Sequence, residues 1–546
     1  MSAAASEAVR AQRERCSEVM RRPLLLSGFM ASGKTTLGRL VAAKAGCEFI
    51  DLDERIESRA GEPISAIFAR AGEAAFRQLE SEALREVLLA GGARVVALGG
   101  GALLRRAARL RAIDAAVVVT LTTSVDEILR RNASQPGQRP LLEGGDARDR
   151  VESLLEQRGP AYAECHATFD TGAVSPEALA ERVLDVWRRD GVGVAAGEQS
   201  YTVEIGSHIA EAGLEQWVAR ATRVILVSDR NVAPLHAGAL RAALGGASKV
   251  ELIELPAGEA HKTLATVEGI WQRSSALGAD RSSLFVGLGG GVVTDITGFA
   301  AAGWMRGVRW VGIPTTLLAM VDASVGGKTA VDLGQAKNCV GAFWQPSQVF
   351  CDVAYSVTEP ERGNTALSEV VKTALIGDAP LLDYMEARVE AVRRRDPDVI
   401  TELVRRCVRV KARVVSEDAR ELGFRAALNL GHTFGHALEA VAGFDRLSHG
   451  EAISLGLIAA LRLGERLGVT RAELTARVSE LLARLGLPTD LSNEPLESAA
   501  GLIGLDKKRK GSSVKFVLAR AAGDIEFRAL ELAELGRFAR DLAHPA

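Results

Sequence analysis

Aromatic residues supply only 5% of this 546-residue chain, and its six cysteines stand far apart, at 16, 47, 165, 339, 351 and 407. There is no CxxC pair and no dense cysteine framework of the kind a disulfide scaffold needs. Scattered thiols of this kind are expected to stay reduced in a cytoplasm. No apolar run approaches the roughly 20 residues that span a bilayer. The N-terminal "MSAAASEAVRAQRERCSEVMRR" has no apolar core either, so a helical extension over residues 1–20 is expected rather than a signal peptide. Charge of one sign is also missing: 67 Lys and Arg against 69 Asp and Glu leave a net −2. That balance offers no basic field to nucleic acid or to a membrane surface, and the expected partners are small molecules.

What remains is an ordinary globular composition, 47% apolar and 25% charged, on a chain too long for one core. From 21 to 189, apolar strand-like runs ("PLLLSGF", "RVVALGGG", "AAVVVTLTT") alternate with amphipathic stretches, the pattern of a parallel sheet covered by helices. Small residues and glycines in "DGVGVAAGEQS" break that alternation, and residues 190–199 are expected to be a linker. The alternation restarts over 200–358 and yields to long helical patterns over 359–546. The expected class is α/β: one parallel-sheet domain, then an α/β lobe and a helical lobe, with a ligand cleft between the last two.

"GFMASGKT" (28–35) matches G-x-x-x-x-G-K-[ST], follows a strand and opens a helix. Its glycines let backbone N–H groups curl around phosphate oxygens, Lys34 reaches the outer phosphates and the Thr35 hydroxyl suits Mg²⁺. Asp51 and Asp53 in "FIDLDERIE" lie on one face at a strand end. They fit a metal's water shell and an acceptor hydroxyl, or a helix cap. Arg77, Arg139 and Arg158 add planar forks suited to phosphate or carboxylate.

With "DLD", "FRQLE", "LGGG", "RPLL" and "RGPAY" following the P-loop in order, residues 21–189 resemble shikimate kinase. The resemblance implies transfer of the ATP γ-phosphate to the 3-hydroxyl of shikimate. It assigns Gly28, Ala31, Ser32, Gly33, Lys34, Thr35, Thr36 and the lid residue Arg139 to ATP, with Arg131 as a further contact. Thr35 and Asp51 would serve Mg²⁺. Asp53, Arg77, Gly99, Gly100, Gly101 and Arg158 would hold shikimate, and Asp53 and Lys34 would be catalytic.

In the second half, three of the eight histidines crowd into "NLGHTFGHALEAVAGFDRLSHGEA" (429–452). His432 and His436, four apart, share a helix face as metal-binding pairs do. Thr433 stands where a zincin needs Glu, which disfavours a metalloprotease, and His449 offers a third ligand. "GLGGGVVTDITGFAA" (287–301) ends a strand and opens a helix, a place for a nucleotide phosphate. Glu369 and Lys372 can face one cleft from one helix, and Lys328, Lys337, Lys372, Lys411 and Arg425 could line a pocket for an acidic phosphate ester.

Residues 200–546 resemble 3-dehydroquinate synthase, from the first strand to "LDKKRKGSSVKFVL" (505–518). That family is homodimeric and depends on NAD⁺ and a divalent metal, Zn²⁺ or Co²⁺; it converts the seven-carbon phosphate DAHP to 3-dehydroquinate with loss of phosphate. The resemblance implies a Rossmann-like NAD-binding lobe over 200–358 and a metal-binding lobe over 359–546. It makes Glu369, His432 and His449 the metal ligands and leaves His436 to the substrate. Asp229, Asn231, Glu259, Lys262, Gly290, Gly291, Asp295, Thr315, Thr316, Lys328, Lys337 and Asn338 would bind NAD⁺. DAHP would meet Arg306, Asp322, Lys328, Lys372, Lys411, Arg425, Asn429, His436 and one of Lys507 and Lys508. Of these, Lys328, Lys372, His436, Arg425 and Asn429 would be catalytic. The competing readings are another sugar-phosphate cyclase, a kinase of another metabolite such as gluconate, and a glycerol-dehydrogenase-like enzyme with net NAD turnover.

Overall fold

The computed structural model describes residues 22–133, 147–245, 250–334, 336–356, 359, 361–442, 446–503, 509–510 and 513–543. The extension expected over 1–20, Arg139, Lys507 and Lys508 lie outside the described residues. The chain forms two compact units, Met1–Glu204 and Ile205–Ala546.

In the first unit β1 (Leu24–Gly28), β2 (Glu48–Asp51), β3 (Arg94–Ala97), β4 (Val117–Thr122) and β5 (Ala167–Asp170) make a parallel sheet in the order β2-β3-β1-β4-β5. The central strands LLLSG and VVVTL are buried on both faces, which is why they read as apolar runs rather than alternations. Leu25, Val96 and Val118 pack against Phe76 and Leu84 on one face, and Leu24, Leu26 and Val119 against Val41, Leu184 and Trp187 on the other. Each such side chain contributes about 1.5–3 kcal/mol on burial. From β1 the chain crosses to one edge (β2), returns to fill the place between (β3) and then passes to the other side (β4, β5), so a crevice opens at the carboxyl end of β1.

Residues 190–199, expected to be a linker, carry a strand of their own and pack closely. β6 (Val192–Val194) pairs antiparallel with β7 (Tyr201–Gly206) through Val192↔Val203, Gly193↔Thr202 and Val194↔Tyr201. Val192, Val194 and Ala195 are buried. Arg22 Nε meets Asp190 at 2.6 Å and its Nη2 donates to the Gly191 carbonyl at 2.7 Å. A Cβ on Gly193 would lie 2.8 Å from Ile113. The small residues mark close packing here, not freedom.

In the second unit β8 (Val224–Asp229), β9 (Val250–Leu255), β10 (Leu284–Gly289), β11 (Arg309–Pro314) and β14 (Gln348–Asp352) run parallel in the order β14-β11-β10-β8-β9. The build direction reverses between β8 and β10, which places Asp229 and Gly289 at a switch point. β12 (Lys328–Leu333) and β13 (Ala336–Phe343) form a hairpin beside the helix Gly291–Gly303. The helical lobe holds Leu367–Gly377, Pro397–Glu417, His432–Ala442, His449–Arg466 and Ala472–Arg484. To these the structure adds an antiparallel pair, Ser513–Ala521 with Asp524–Glu531, whose alternating Val514, Phe516 and Leu518 are buried. Among the described residues, no helix is long and apolar enough to cross a membrane.

Candidate active sites

The loop after β1 takes its shape from three residues at positive φ: Gly28 (129°), Ala31 (62°) and Gly33 (93°). Around them the Lys34 ammonium donates to the carbonyls of Gly28 (3.0 Å) and Phe29 (2.8 Å). The Thr35 hydroxyl donates to Asp51 Oδ2 at 2.9 Å, and Asp51 Oδ1 accepts the Asp53 N–H at 3.1 Å. Asp51 is thus both helix cap and partner of Thr35. Arg131 donates to the Ala31 carbonyl at 3.0 Å, on the rim of the same loop.

Below the loop lies a pocket of opposed charges. The Asp53 carboxyl is buried, with Oδ1 left without a hydrogen-bond partner. Burial, and then the charge of Asp51, push its pKa up. Glu80, absent from the expected site, has the same character: Oε1 is orphaned while Oε2 accepts from Arg77 Nη1 at 2.7 Å, and burial raises its pKa. Both orphan oxygens point at Gly99, where a Cβ would lie 2.8 Å from Asp53 and 2.7 Å from Glu80; at Gly101 it would lie 2.4 Å from Arg77. Arg158 lies over the Phe29 ring at 5.7 Å, and the Tyr162 hydroxyl donates to the Gly100 carbonyl at 2.6 Å. Thr36 is exposed in the first turn of the following helix, Lys34–Ala45. Glu80 was legible as the i+3 partner of Arg77 on one helix face.

In the second unit the metal-ligand types converge. Donor atoms of Glu369, His432 and His449 all lie within 4.8 Å of one another. Glu369 Oε1 is 3.4 Å from His432 Nε2 and 3.3 Å from His449 Nε2. The carboxyl is 1% exposed. Burial would raise its pKa, yet Lys372 (its ion-pair partner) and the hydrogen bond with His449 hold it well below the carboxylate range. Burial and Lys372 drive His432 well below its ordinary value, so it is neutral, as a ligand must be. His449 goes the other way: against burial, Glu369 and Glu439 raise it to about 10. Glu439, which the sequence reading passed over, accepts from Lys337 at 3.0 Å and lies 3.4 Å from His449 Nδ1. Its signal was its place one turn beyond His436. Two imidazoles and a carboxylate are a usual protein set for catalytic zinc, and a buried carboxylate caught between two imidazole nitrogens fits such an ion. His436 turns outward and is exposed, its ring 5.0 Å from that of His432; with Glu439 and His449 it makes a second, overlapping cluster.

Around this cluster Lys411 Nζ donates to Asp322 Oδ1 at 2.6 Å; burial takes the lysine down to about 8. Arg425, buried, donates to the carbonyls of Gly326 (3.0 Å) and Ala419 (2.8 Å). Asn429 donates to Glu421 at 3.3 Å, and Lys328 forms an ion pair with the same carboxylate. Arg306 is exposed on the turn Trp304–Arg306 with φ 70°.

At the switch point Gly290 caps the helix Gly291–Gly303, leaving its first N–H groups open. Asp229 Oδ1 accepts the N–H groups of Asn231 (2.8 Å) and Val232 (3.0 Å). The Thr315 N–H donates to the Gly289 carbonyl at 3.0 Å, and the Thr316 hydroxyl accepts from Ala319. Lys262, almost fully buried, donates to Asp295 Oδ2 at 2.7 Å and also to Asn338, which sits at φ 50°. Burial raises Asp295 to about 6. Glu259 opens the short turn Glu259–His261 beside them.

Family models for the N-terminal and C-terminal parts of 3-dehydroquinate synthase match residues 252–366 and 366–509. The 3-dehydroquinate synthase of Halorhodospira halophila is 44% identical over 332 residues, covering 61% of this chain and 93% of that enzyme. The chain belongs to the 3-dehydroquinate synthase family. Ahead of the synthase, a shikimate kinase model matches residues 30–188. Among solved structures, 2-epi-5-epi-valiolone synthase from Streptomyces hygroscopicus, with NAD⁺ and Zn²⁺ bound, is 27% identical and covers 63% of this chain and 97% of its own, with a TM-score of 0.57. Shikimate kinase from Acinetobacter baumannii in complex with shikimate is 33% identical over 33% of this chain and 96% of its own, with a TM-score of 0.30. The chain is thus a bifunctional shikimate-pathway enzyme, a kinase domain followed by a synthase.

Proposed function

We propose that each half works through the residues gathered above. In the kinase half, the bare backbone of Gly99–Gly101 takes the ring of shikimate, and Arg77 and Arg158 take its carboxylate. Asp53 receives the proton of the 3-hydroxyl as it attacks the γ-phosphate of ATP. The orphaned Asp53 Oδ1 carries this reading: burial keeps the carboxyl basic and leaves an acceptor free for a hydroxyl. Lys34 neutralises charge on the transferred phosphoryl group, and Thr35 with Asp51 would hold Mg²⁺. Glu80 fixes the Arg77 guanidinium. Arg139 is assigned to ATP by motif alone.

In the synthase half, Glu369, His432 and His449 would hold Zn²⁺ or Co²⁺, which polarises a substrate oxygen when bound. NAD⁺ would lie across the β8/β10 switch point with phosphates at Gly290 and Gly291, near Asp229, Asn231, Lys262, Thr315 and Thr316, and supplies a transient hydride acceptor. Lys411, Lys372, Arg425 and Asn429 gather positive charge and donors for the carboxylate and phosphate of DAHP; Lys328 and His436 stand at the rim for proton movement. The carrying observation is the buried carboxylate between two histidines. Identity of 44% to a 3-dehydroquinate synthase, against 27% to a valiolone synthase, favours DAHP over another sugar phosphate. We further infer a cytoplasmic homodimer formed through the synthase half, with Arg306, Lys507 and Lys508 as added phosphate contacts; light scattering on the full chain tests the assembly.

Lys34→Ala and His432→Ala, assayed separately, test the whole scheme. Each should abolish one activity and spare the other. Loss of both activities in either folded variant contradicts independent sites, and net NADH accumulation with DAHP contradicts transient use of the dinucleotide.

A further inference from the structure

The loop that carries Gly99–Gly101 is short and would be mobile if only its own turns held it: Ala102 N–H to Gly99 O at 3.2 Å and Leu104 N–H to Gly101 O at 3.1 Å. Two side chains from outside fasten its carbonyls. Tyr162 takes Gly100, as described. Arg109 takes the far end, with Nη1 donating to Leu103 O at 2.7 Å and to Leu104 O at 2.9 Å. The arginine is itself immobilised, since Nε donates to Glu164 Oε2 at 2.6 Å and both side chains are nearly fully buried. The other oxygen of that carboxylate, Oε1, accepts the Gly197 N–H at 3.2 Å, from the turn between β6 and β7, and lies 3.6 Å from Arg106. A buried arginine needs only its carboxylate for charge balance; directing a second donor edge at two consecutive loop carbonyls is a geometric function.

We infer that Arg109, oriented by Glu164, is a positioning residue for the acceptor site of the kinase. It sets the backbone on which the shikimate ring rests, and the β6–β7 turn shares the carboxylate that orients it. The inference rests on the assignment of Gly99–Gly101 to shikimate. Displacing a binding backbone by a fraction of an ångström weakens the bound ground state and spoils attack geometry, while ATP, held by the P-loop, is indifferent.

Removing Arg109 alone would strand a buried charge, so the informative variant is the double Arg109→Met/Glu164→Met, which removes both charges together. In the full-length enzyme its KM for shikimate should rise about tenfold or more, with the KM for ATP within about twofold and the synthase activity unchanged. Arg109→Lys, which can reach one carbonyl but not two, should fall between it and the native enzyme. Unchanged KM for shikimate in the folded double variant overturns the inference, as does an equal rise in both kinase KM values. A native chain with no shikimate phosphorylation at all would instead refute the assignment of the loop, and Gly101→Ala with an unaltered shikimate KM would do the same.

Discussion

Loading the Glu369–His432–His449 cluster with zinc should expel about one proton. Each imidazole must offer a lone pair, and each carboxylate a charge, before a metal can bind. Glu369 is already ionised, because Lys372 and the hydrogen bond with His449 outweigh its burial, and His432 is already neutral. His449 is the exception: Glu369 and Glu439 flank its two ring nitrogens at 3.3 and 3.4 Å and raise its pKa to about 10 against burial. Binding at about pH 7.5 must therefore remove a proton held some 2.5 pH units more tightly than the solution holds it. That weakens the apparent affinity by about two to three orders of magnitude, on the order of 3 kcal/mol. Calorimetric titration of Zn²⁺ into chelator-stripped enzyme, in two buffers of different ionisation enthalpy, reads the proton count directly. The count should be close to one between about pH 7 and 8.5, with affinity rising about tenfold per pH unit. The stability of the metal-free chain must follow the same proton. A raised histidine pKa contributes stability that is complete below about 6.5 and is lost as pH climbs through about 10, so the stripped enzyme should weaken in that window. Zero proton release together with a flat affinity profile would show that His449 is neutral before metal arrives, and the electrostatic reasoning would fail.

Two further perturbations address the kinase half. Asp190→Ala leaves Arg22 buried without its carboxylate, which should cost on the order of 3 kcal/mol in urea unfolding; a loss under about 1 kcal/mol would mean that residues 190–199 are not seated as described. Asp53→Asn should lower kcat by about 10²- to 10⁴-fold, and the native acid limb should fall above the ordinary carboxylate range because burial raises Asp53. A kcat within threefold of native removes Asp53 from proton transfer.

Much of this was legible in the chain because its motifs are local. A P-loop carries its own backbone instructions: Gly28 and Gly33 adopt positive φ and the following residues start a helix, so eight residues suffice. The histidine trio was visible for the same reason, and the structure keeps His432 and His436 side by side as their spacing implies, but it is His449 that joins His432 at Glu369. The device that holds it there was readable: Ser448 and Glu451 form a capping box that fixes His449 at the first position of its helix. Glu369 lies 80 residues from His449, and no periodicity connects them. Composition misleads over residues 190–199 for a different reason. Gly, Ala and Val in "GVGVAA" serve a hairpin pressed against Ile113 and His166, and composition cannot separate a loose segment from a tightly packed one.

The tetrapeptide LGGG occurs twice, and the reason for its bare backbone differs between the two places. After β3, the space beside Gly101 is taken by the guanidinium of Arg77, the far end of a flexible side chain. A methyl group there pushes a binding group aside without touching the core. At the end of β10, the space beside Gly289 is taken by Val293 Cβ at 2.7 Å, in the first turn of the helix that follows. That atom cannot retreat unless the helix moves with it. Gly101→Ala should therefore raise the KM for shikimate several-fold with little change in melting temperature. Gly289→Ala should cost about 1–3 kcal/mol of stability in the synthase half, as overpacking does, and carry the affinity for NAD⁺ down with it as the helix N-terminus shifts. If Gly289→Ala weakens NAD⁺ binding while the unfolding transition stays in place, the glycine serves the dinucleotide directly rather than the strand–helix contact.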